Sequence, residues 1–423
     1  MIEIQRIKEN KEEVLLGLSK RHINAEKEID LILKLDNEWR EAKTNLQSVE
    51  TELNVLSKQI GKLFSTGERD KAEGLKSKST ELKKEETELK SNADSLGEEL
   101  TKCLYTLPNV LSEEVVAGKD SSENEIIYEF GQSSSHKEAP LPHWELAKKY
   151  GIINFELGVK VAGAGFPFYI GQGAKLQRAL ISFFLDEAIQ AGYEEYYSPL
   201  LVNEDSGKGT GQLPDKEGMM YHVGEDDLYL IPTAEVPLTN TYRNVLLPDN
   251  KFSIKITGHT PCFRREAGSY GKDVRGLNRL HQFDKVEIIR IETAENAAAA
   301  LDEMITHVKG LLEKLGLQYR ILRLCGGDTG FTAAITYDFE VYSPSQEKWL
   351  EVSSVSRFDT FQSNRLKLRY KDEDNKSKLC HTLNGSALAL PRVVAALLEN
   401  NQTDKGILIP KALIPYMGGE IID

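Results

Sequence analysis

The chain has 423 residues, 28% of them charged and 40% hydrophobic, with a formal net charge of −13. That length fits about two or three domains, and the acidic balance excludes a protein that coats nucleic acid non-specifically while leaving room for a local basic patch. Cys103, Cys262, Cys325 and Cys380 stand far apart with no CxxC pair, which argues against disulfides or zinc and for a reducing cytoplasm; the charged start MIEIQRIKENKEEV lacks an apolar signal core, and no apolar run approaches the roughly 18 residues of a membrane span.

Residues Ile4 to Lys20 read as one amphipathic helix. A longer pattern follows: Leu46, Val49, Leu53, Leu56, Ile60 and Leu63 form a heptad seam. It breaks at Ser65-Thr66-Gly67, a turn. It resumes with Leu75, Leu82, Leu89, Leu96 and Cys103, with Ala93 and Leu100 between. Two runs around a short turn predict an antiparallel coiled-coil hairpin over about 28–104. A helix of about 37 residues is about 55 Å long, so this arm would project from a globular body. By pattern it is a dimerisation or spacer coil, or an RNA-binding arm. Charge favours the second. From Lys58 to Lys84 the basic residues Lys58, Lys62, Arg69, Lys71, Lys76, Lys78, Lys83 and Lys84 face only Glu68, Asp70, Glu73 and Glu81. A locally positive stretch on an acidic protein suits phosphate contact at one place.

Leu107-Pro108-Asn109 ends the coil, and the polar GKDSSENE linker places a domain boundary within 108–125. A helical domain over 1–110 and a second domain over 111–423 are expected. The second opens with a short helix from His143-Trp144 to about Tyr150. A strong helix follows Gly171 and Gly173, with Leu176, Ala179, Leu180, Phe183 and Phe184 on one apolar face. GYEEYYSPLL is a strand interrupted by Pro199. In DLYLIPTAEVPLTN, Thr233, Ala234 and Glu235 read as a helix start, with threonine as N-cap and glutamate at the positive end of the helix dipole.

Thr260–Glu287 then reads as a strand–loop–strand hairpin with a basic, glycine-broken loop (Gly268, Gly271, Lys272, Arg275, Gly276, Arg279). Alternation places Phe283, Lys285 and Glu287 on one face, and Arg264 and Glu266 on one face. A guanidinium there can grip a phosphate, a carboxylate can read an amine and a ring can cover a base. Glu295–Leu315 is helical. Strands follow, with Glu351, Ser353 and Ser354 at the end of one. HTLNGSALALPRVVAALLEN turns from strand to helix with Arg392 in the first helical turn and Pro391 at its start.

FRREAGSYG followed by HQFDKVE resembles motif 2 of the class II aminoacyl-tRNA synthetases, in the form typical of seryl-tRNA synthetases. The helix with the Pro199 strand resembles motif 1, the family's dimer interface. TAEVPLTN resembles the segment that encloses the amino acid, and the Arg392 strand–helix resembles motif 3. Motif 3 departs in one respect: the glycines usual before the arginine are reduced to Gly385, with Ala387, Ala389 and Pro391 instead. The resemblance implies an α+β fold: a helical tRNA-binding arm, then an antiparallel sheet flanked by helices, pairing as a homodimer through about 165–202. It implies ATP-dependent activation of L-serine to seryl-adenylate and transfer to the 3′ end of tRNA-Ser, with the basic stretch Lys58–Lys84 on the RNA; charging of tRNA-Sec stays open.

By position, the resemblance assigns Arg264 to the α-phosphate and Glu266 to adenosine. Phe283 and Arg392 would sandwich adenine, with Arg265, Val352 and Ser353 beside the nucleotide. Glu351 and Ser354 would hold Mg²⁺ on the phosphates. Thr233, Ala234, Glu235, Arg264, Glu287, Asn384 and Ser386 would line the serine pocket. Arg265 stands where many relatives have a small polar residue. Two rival readings are an amino acid:carrier-protein ligase, whose relatives lack the arm, and a non-catalytic paralogue that binds RNA or a partner.

Overall fold

The computed structural model describes residues 1–131, 139–215, 218–248, 251–266 and 275–423. Gly268, Gly271 and Lys272 lie outside the described residues. The chain divides into two compact units, one of Ile2–Ser19 with Ile23–Pro108, the other of Met1, Lys20–His22 and Asn109–Asp423.

In the helical unit the expected single N-terminal helix is two, α1 (Ile4–Glu9) and α2 (Lys11–Ser19). Asn10 separates them at φ −132° and ψ 43°; its amide closes α1 on the Arg6 carbonyl, and its carbonyl accepts from Val14 to open α2. The arm is α3 (Glu26–Ser65) and α4 (Arg69–Thr106), joined by a turn in which Gly67 takes φ +82°, a left-handed value that glycine adopts without a Cβ penalty. Lys78 bridges Glu52 at 2.7 Å and Lys76 lies 4.8 Å over the Phe64 ring, so the two helices run antiparallel. Leu46, Val49, Leu53 and Leu56 are buried as the heptad requires, and so are Ala72, Ala93 and Leu100 of α4. All eight basic residues of Lys58–Lys84 are exposed.

The larger unit is built on an eight-stranded sheet: β1 (Glu125–Phe130), β2 (Glu194–Glu195), β3 (Ile254–Phe263), β4 (Gln282–Glu292), β5 (Tyr319–Arg323), β6 (Ile335–Ser343), β7 (Lys348–Asp359) and β8 (His381–Ala389). Its spatial order is β1-β5-β6-β7-β8-β4-β3-β2, antiparallel throughout except where β2 runs parallel to β3. This is the α+β arrangement expected. Helices α5 (His143–Lys149), α6 (Gln172–Gln190), α7 (Glu235–Asn240), α8 (Ala297–Leu315) and α9 (Leu390–Asn400) accompany it. Leu180 and Phe184 of α6, Met304 and Leu311 of α8 and Val394 and Leu397 of α9 join Val286, Ile288, Phe339, Val355 and Leu383 of the sheet in one core. Burying each such side chain is worth about 1.5–3 kcal/mol. Gly385 permits the close approach of α8, since a Cβ there would stand 3.2 Å from Met304 Cε and 3.1 Å from Val355 Cγ2.

A buried cation ties three distant stretches of this unit. Arg21 donates from Nε to the Asn109 carbonyl at 2.9 Å, from Nη1 to Thr329 at 2.6 Å and from Nη2 to Ala333 at 2.5 Å. Burial pulls its pKa down to about 10, which leaves it charged at neutral pH. Arg21→Met strands three acceptors and is expected to cost about 3 kcal/mol or more. Arg21→Lys should recover only part, because an ammonium cannot reproduce the planar fork. Urea midpoints at constant m-value check both; a loss within 0–1 kcal/mol (about the size of a surface ion pair) for Arg21→Met contradicts this role.

Candidate active site

The two long strands β3 and β4 are the hairpin expected from sequence, with Phe283 opposite Cys262 and Gln282 opposite Phe263. The strand stops at Phe263, one residue short of the arginines. Arg264 N still donates to the His281 carbonyl at 2.9 Å, but Arg265 N turns to the Met219 carbonyl at 2.9 Å and Glu266 takes φ +49°. Arg264 and Glu266 therefore do not share a face by strand alternation. The backbone has left the ladder because Met219 claims the next amide. Glu266 is held by Arg279 from the returning chain, Nη1 to Oε2 at 3.1 Å.

Phe283, Lys285 and Glu287 do lie on one face. Lys285 Nζ is 2.5 Å from Glu287 Oε2, and both are buried, Glu287 completely. A carboxylate with no access to water needs donors for its lone pairs. Glu287 finds them on three elements. Besides Lys285, Thr233 Oγ1 donates to Oε2 at 3.0 Å and Asn384 Nδ2 to Oε1 at 2.8 Å. Ser386 lies directly across from Glu287 in the β4–β8 register. Thr233 Oγ1 also accepts from the Glu235 amide at 3.2 Å, but the N-cap of α7 is Ala234, which has no polar side chain to cap with, and not the threonine expected. Ala234 is fully buried as the residue before that helix.

Glu235 is the second buried carboxylate. Gln362 Nε2 donates to Oε1 at 2.6 Å and Gln212 Nε2 to Oε2 at 3.3 Å. Gln362 is itself held, accepting from Thr382 at 2.7 Å and donating to the Thr210 carbonyl at 3.1 Å. Burial, with the charge of Glu287 added, pushes the Glu235 carboxyl up to about 7. The donors Gln212, Gln362 and Lys285 were not among the residues expected here. Lys285 carries a signal in its alternation with Glu287; the two glutamines, from remote stretches of chain, carry none.

Beside this pocket the Arg264 guanidinium lies 5.2 Å over the Phe283 ring, with Nε 3.4 Å from the Pro232 carbonyl. Arg392, in the first turn of α9, donates from Nε to the Asn278 carbonyl at 3.0 Å and from Nη1 to the Glu351 carbonyl at 2.8 Å. Its Nη1 is 3.4 Å from Glu351 Oε2. Glu351 is not at a strand end. It sits inside β7, where the β6–β7 register slips: Phe339 faces Ser353, yet Glu340 faces Glu351. Val352 is the extra residue of this β-bulge, and a bulge re-aims the side chains on either side. Asp338 faces Ser354 and Glu340 faces Glu351, so the slip brings Glu351 and Ser354 onto one face despite their odd spacing. Val352 itself is buried in the core, and the Ser353 hydroxyl is spent on the Ser386 carbonyl at 2.6 Å, so only backbone is left there for a ligand.

Asp338 joins Glu351 and Ser354 on that face, and sequence reading missed it. Its signal was an acid inside an apolar strand, TYDFEV. Burial and the charge of Glu351 hold the Asp338 carboxyl well above the usual range, although Ser354 hydrogen bonds to it. Its Oδ1 is buried without a hydrogen-bond partner. An all-oxygen set with an orphaned acceptor fits a hard divalent cation. Among the described residues no three His, Cys, Asp or Glu side chains gather into a metal cage.

Two family models match the chain: the seryl-tRNA synthetase N-terminal domain over residues 1–111 and the class II tRNA synthetase core domain (G, H, P, S and T) over 220–401. The serine–tRNA ligase of Salinibacter ruber is 47% identical, covering 99% of this chain and 98% of its own. The seryl-tRNA synthetase of Pyrococcus horikoshii, solved with ATP, superposes with a TM-score of 0.89 at 34% identity, over 100% of this chain and 99% of that one. The cytoplasmic serine–tRNA ligase of Naegleria fowleri, solved with AMP, gives 0.85 at 26% identity over 100% and 99%.

The raised Glu235 carboxyl has a direct consequence for stability. With a folded value of about 7 against an ordinary 4.5, its favourable contribution is complete below about 4.5 and is lost as pH rises through about 7. The span corresponds to about 3 kcal/mol. Glu235→Gln cannot ionise, so its stability relative to the parent should improve by up to that amount between pH 5 and pH 8. Urea titrations of both proteins at the two pH values check it, and a constant difference would refute it.

Proposed function

The chain belongs to the seryl-tRNA synthetase family of class II aminoacyl-tRNA synthetases, ATP-dependent ligases that join serine to tRNA, and from that premise we propose how its residues divide the reaction. The observation that carries the assignment is Glu287, a fully buried carboxylate ringed by Thr233, Asn384 and Lys285, beside a cationic surface of Arg264 and Arg392. The pocket takes serine, and the cationic surface takes ATP.

Serine's carboxylate is ionised at neutral pH and needs no base to become a nucleophile. The first step is therefore one of positioning and charge stabilisation. Arg264 neutralises the α-phosphate where serine's oxygen attacks, and pyrophosphate leaves. Phe283 and Arg392 flank the adenine, a stacking role that the planar guanidinium suits and an ammonium does not. Glu266, fixed by Arg279, faces the adenosine. Mg²⁺ held by Glu351 and Ser354 would neutralise phosphate charge as it develops. In the second step the terminal ribose hydroxyl of tRNA takes the seryl group.

Glu287 and Glu235 give the pocket its selectivity. Serine's hydroxyl and ammonium can both be met by carboxylate oxygens. Alanine lacks the hydroxyl and would strand a buried acceptor, whereas threonine adds one methyl and is rejected only by shape, a weaker discrimination.

The exposed basic residues of Lys58–Lys84 on the α3–α4 arm support tRNA, and not a carrier-protein thiol, as the acceptor. A homodimer through 165–202 is supported by apolar side chains exposed there: Phe168, Ile170 and Tyr197, the last 97% exposed. No helix among the described residues is long and apolar enough to cross a membrane; the free cysteines Cys103, Cys262, Cys325 and Cys380 are what support a reducing cytoplasm as its location.

ATP–pyrophosphate exchange with each of the twenty amino acids is expected to proceed with serine alone. Glu287→Ala should abolish serine-dependent exchange by at least about 100-fold; near-normal exchange in that variant would remove Glu287 from the pocket. Deleting about 30–100 should abolish seryl transfer to total tRNA yet preserve exchange. Loss of both together would mean that the arm does not serve tRNA alone.

A further inference from the structure

His143 opens α5, more than 100 residues before the motif 3 helix in sequence, and neither reactant-binding surface includes it. It is completely buried beside Glu399 of α9, also completely buried. The Leu277 amide donates to His143 Nε2 at 2.9 Å. A backbone amide can only donate, so Nε2 carries no proton and the hydrogen sits on Nδ1, which donates to Glu399 Oε1 at 2.7 Å. The His143 amide donates to the same oxygen at 3.1 Å, Gln346 Nε2 donates to it at 3.2 Å, and the Ser343 hydroxyl donates to Oε2. Asn278 Nδ2 donates to Gln346 Oε1 at 2.9 Å. The contacts close a ring: Glu399, His143, the Leu277–Asn278 backbone, Gln346 and back to Glu399.

The ring encloses one acceptor that matters to the reaction. The Asn278 carbonyl receives Arg392 Nε at 3.0 Å. Arg392 and Glu399 stand seven residues apart on α9, so one helix both presents the guanidinium and anchors the ring that aims it. Gly276, at φ +71°, allows the approach: a Cβ there would lie 2.2 Å from His143 Nε2. Arg275, just before it, lies 4.7 Å over the Trp144 ring, so α5 holds the returning hairpin at two successive points.

We propose that His143 is a positioning residue for adenylate formation: by accepting the Leu277 amide and donating to Glu399 it fixes the Asn278 carbonyl, and through it the orientation of the Arg392 guanidinium. This rests on the reading that Arg392 binds ATP. Because the ring touches the nucleotide-binding arginine and none of the donors to Glu287, its loss weakens ATP and not serine.

Steady-state ATP–pyrophosphate exchange on the full chain separates the two effects. His143→Asn keeps a donor toward Glu399 and removes the acceptor for Leu277; it should raise KM for ATP about tenfold while KM for serine stays within about twofold. His143→Gln, whose Oε1 can reach the Leu277 amide, should recover most of the loss. Gln346→Ala opens the ring at a half-buried position without touching His143, and should raise KM for ATP in the same direction; it decides the matter if the His143 variants fail to fold. Arg392→Ala serves as reference. Equal shifts in both KM values, or no shift in ATP KM for His143→Asn and Gln346→Ala while Arg392→Ala raises it, would overturn the proposal alone. An unchanged ATP KM in Arg392→Ala would overturn the reading beneath it and the proposal together.

Discussion

The need to satisfy Glu287 organises the catalytic unit. A carboxylate without exposure costs several kcal/mol unless its oxygens are met by donors. Its donors come from its own strand, from the turn before α7 and from β8. Each donor therefore fixes the place of an element. Thr233 can reach Oε2 only if the turn before α7 packs on β4, and Asn384 only if β8 pairs with β4 in the observed register. A one-residue slip of β8 would turn Asn384 and Ser386 to the other face of the sheet and leave Glu287 short of a donor. The register that fills the pocket is thus the register that burial of charge demands.

Glu235 shows the same constraint solved differently. Its oxygens are met by two neutral amides and no cation, and its carboxyl rises to about 7. Of the two buried carboxylates in this pocket, one has a lysine beside it and the other does not, and it is the one met only by neutral amides that burial pushes up. The arrangement avoids burying two uncompensated charges side by side.

Much of this was legible in the sequence, and the reasons for the rest are local. The arm followed from the heptads Leu46–Leu63 and Leu75–Cys103, because a seam of large apolar residues leaves a periodic trace. Its partner seam runs partly through Ala72, which is too small to mark it. The break at Asn10 was hidden because α1 and α2 keep apolar faces on both sides of it. Phe283, Glu287 and Arg392 were named as candidates through the contiguous words around them. Gln362 was not, since it meets Glu235 from 127 positions away. The Val352 bulge was invisible for another reason: alternation separates Glu351 from Ser354, and only the pairing partner, β6, reveals the extra residue.

The two halves of the site are built to different tolerances, and the difference follows from their chemistry. In the half proposed for serine the two carboxylates are buried and each has fixed donors, so on that reading a wrong amino acid leaves a group unmatched at a cost that water cannot relieve. In the half proposed for the nucleotide, Arg392 keeps its Nε on a backbone carbonyl but meets the Glu351 carboxylate only at 3.4 Å, with that carboxylate about half exposed. An ion pair of that kind is worth no more than about 1 kcal/mol. A phosphate, or a cation on Glu351, can displace it at little cost while the Nε contact continues to aim the guanidinium. On the proposed division of the site, selectivity is placed where rearrangement is expensive, and the turnover of a large, highly charged reactant where rearrangement is cheap.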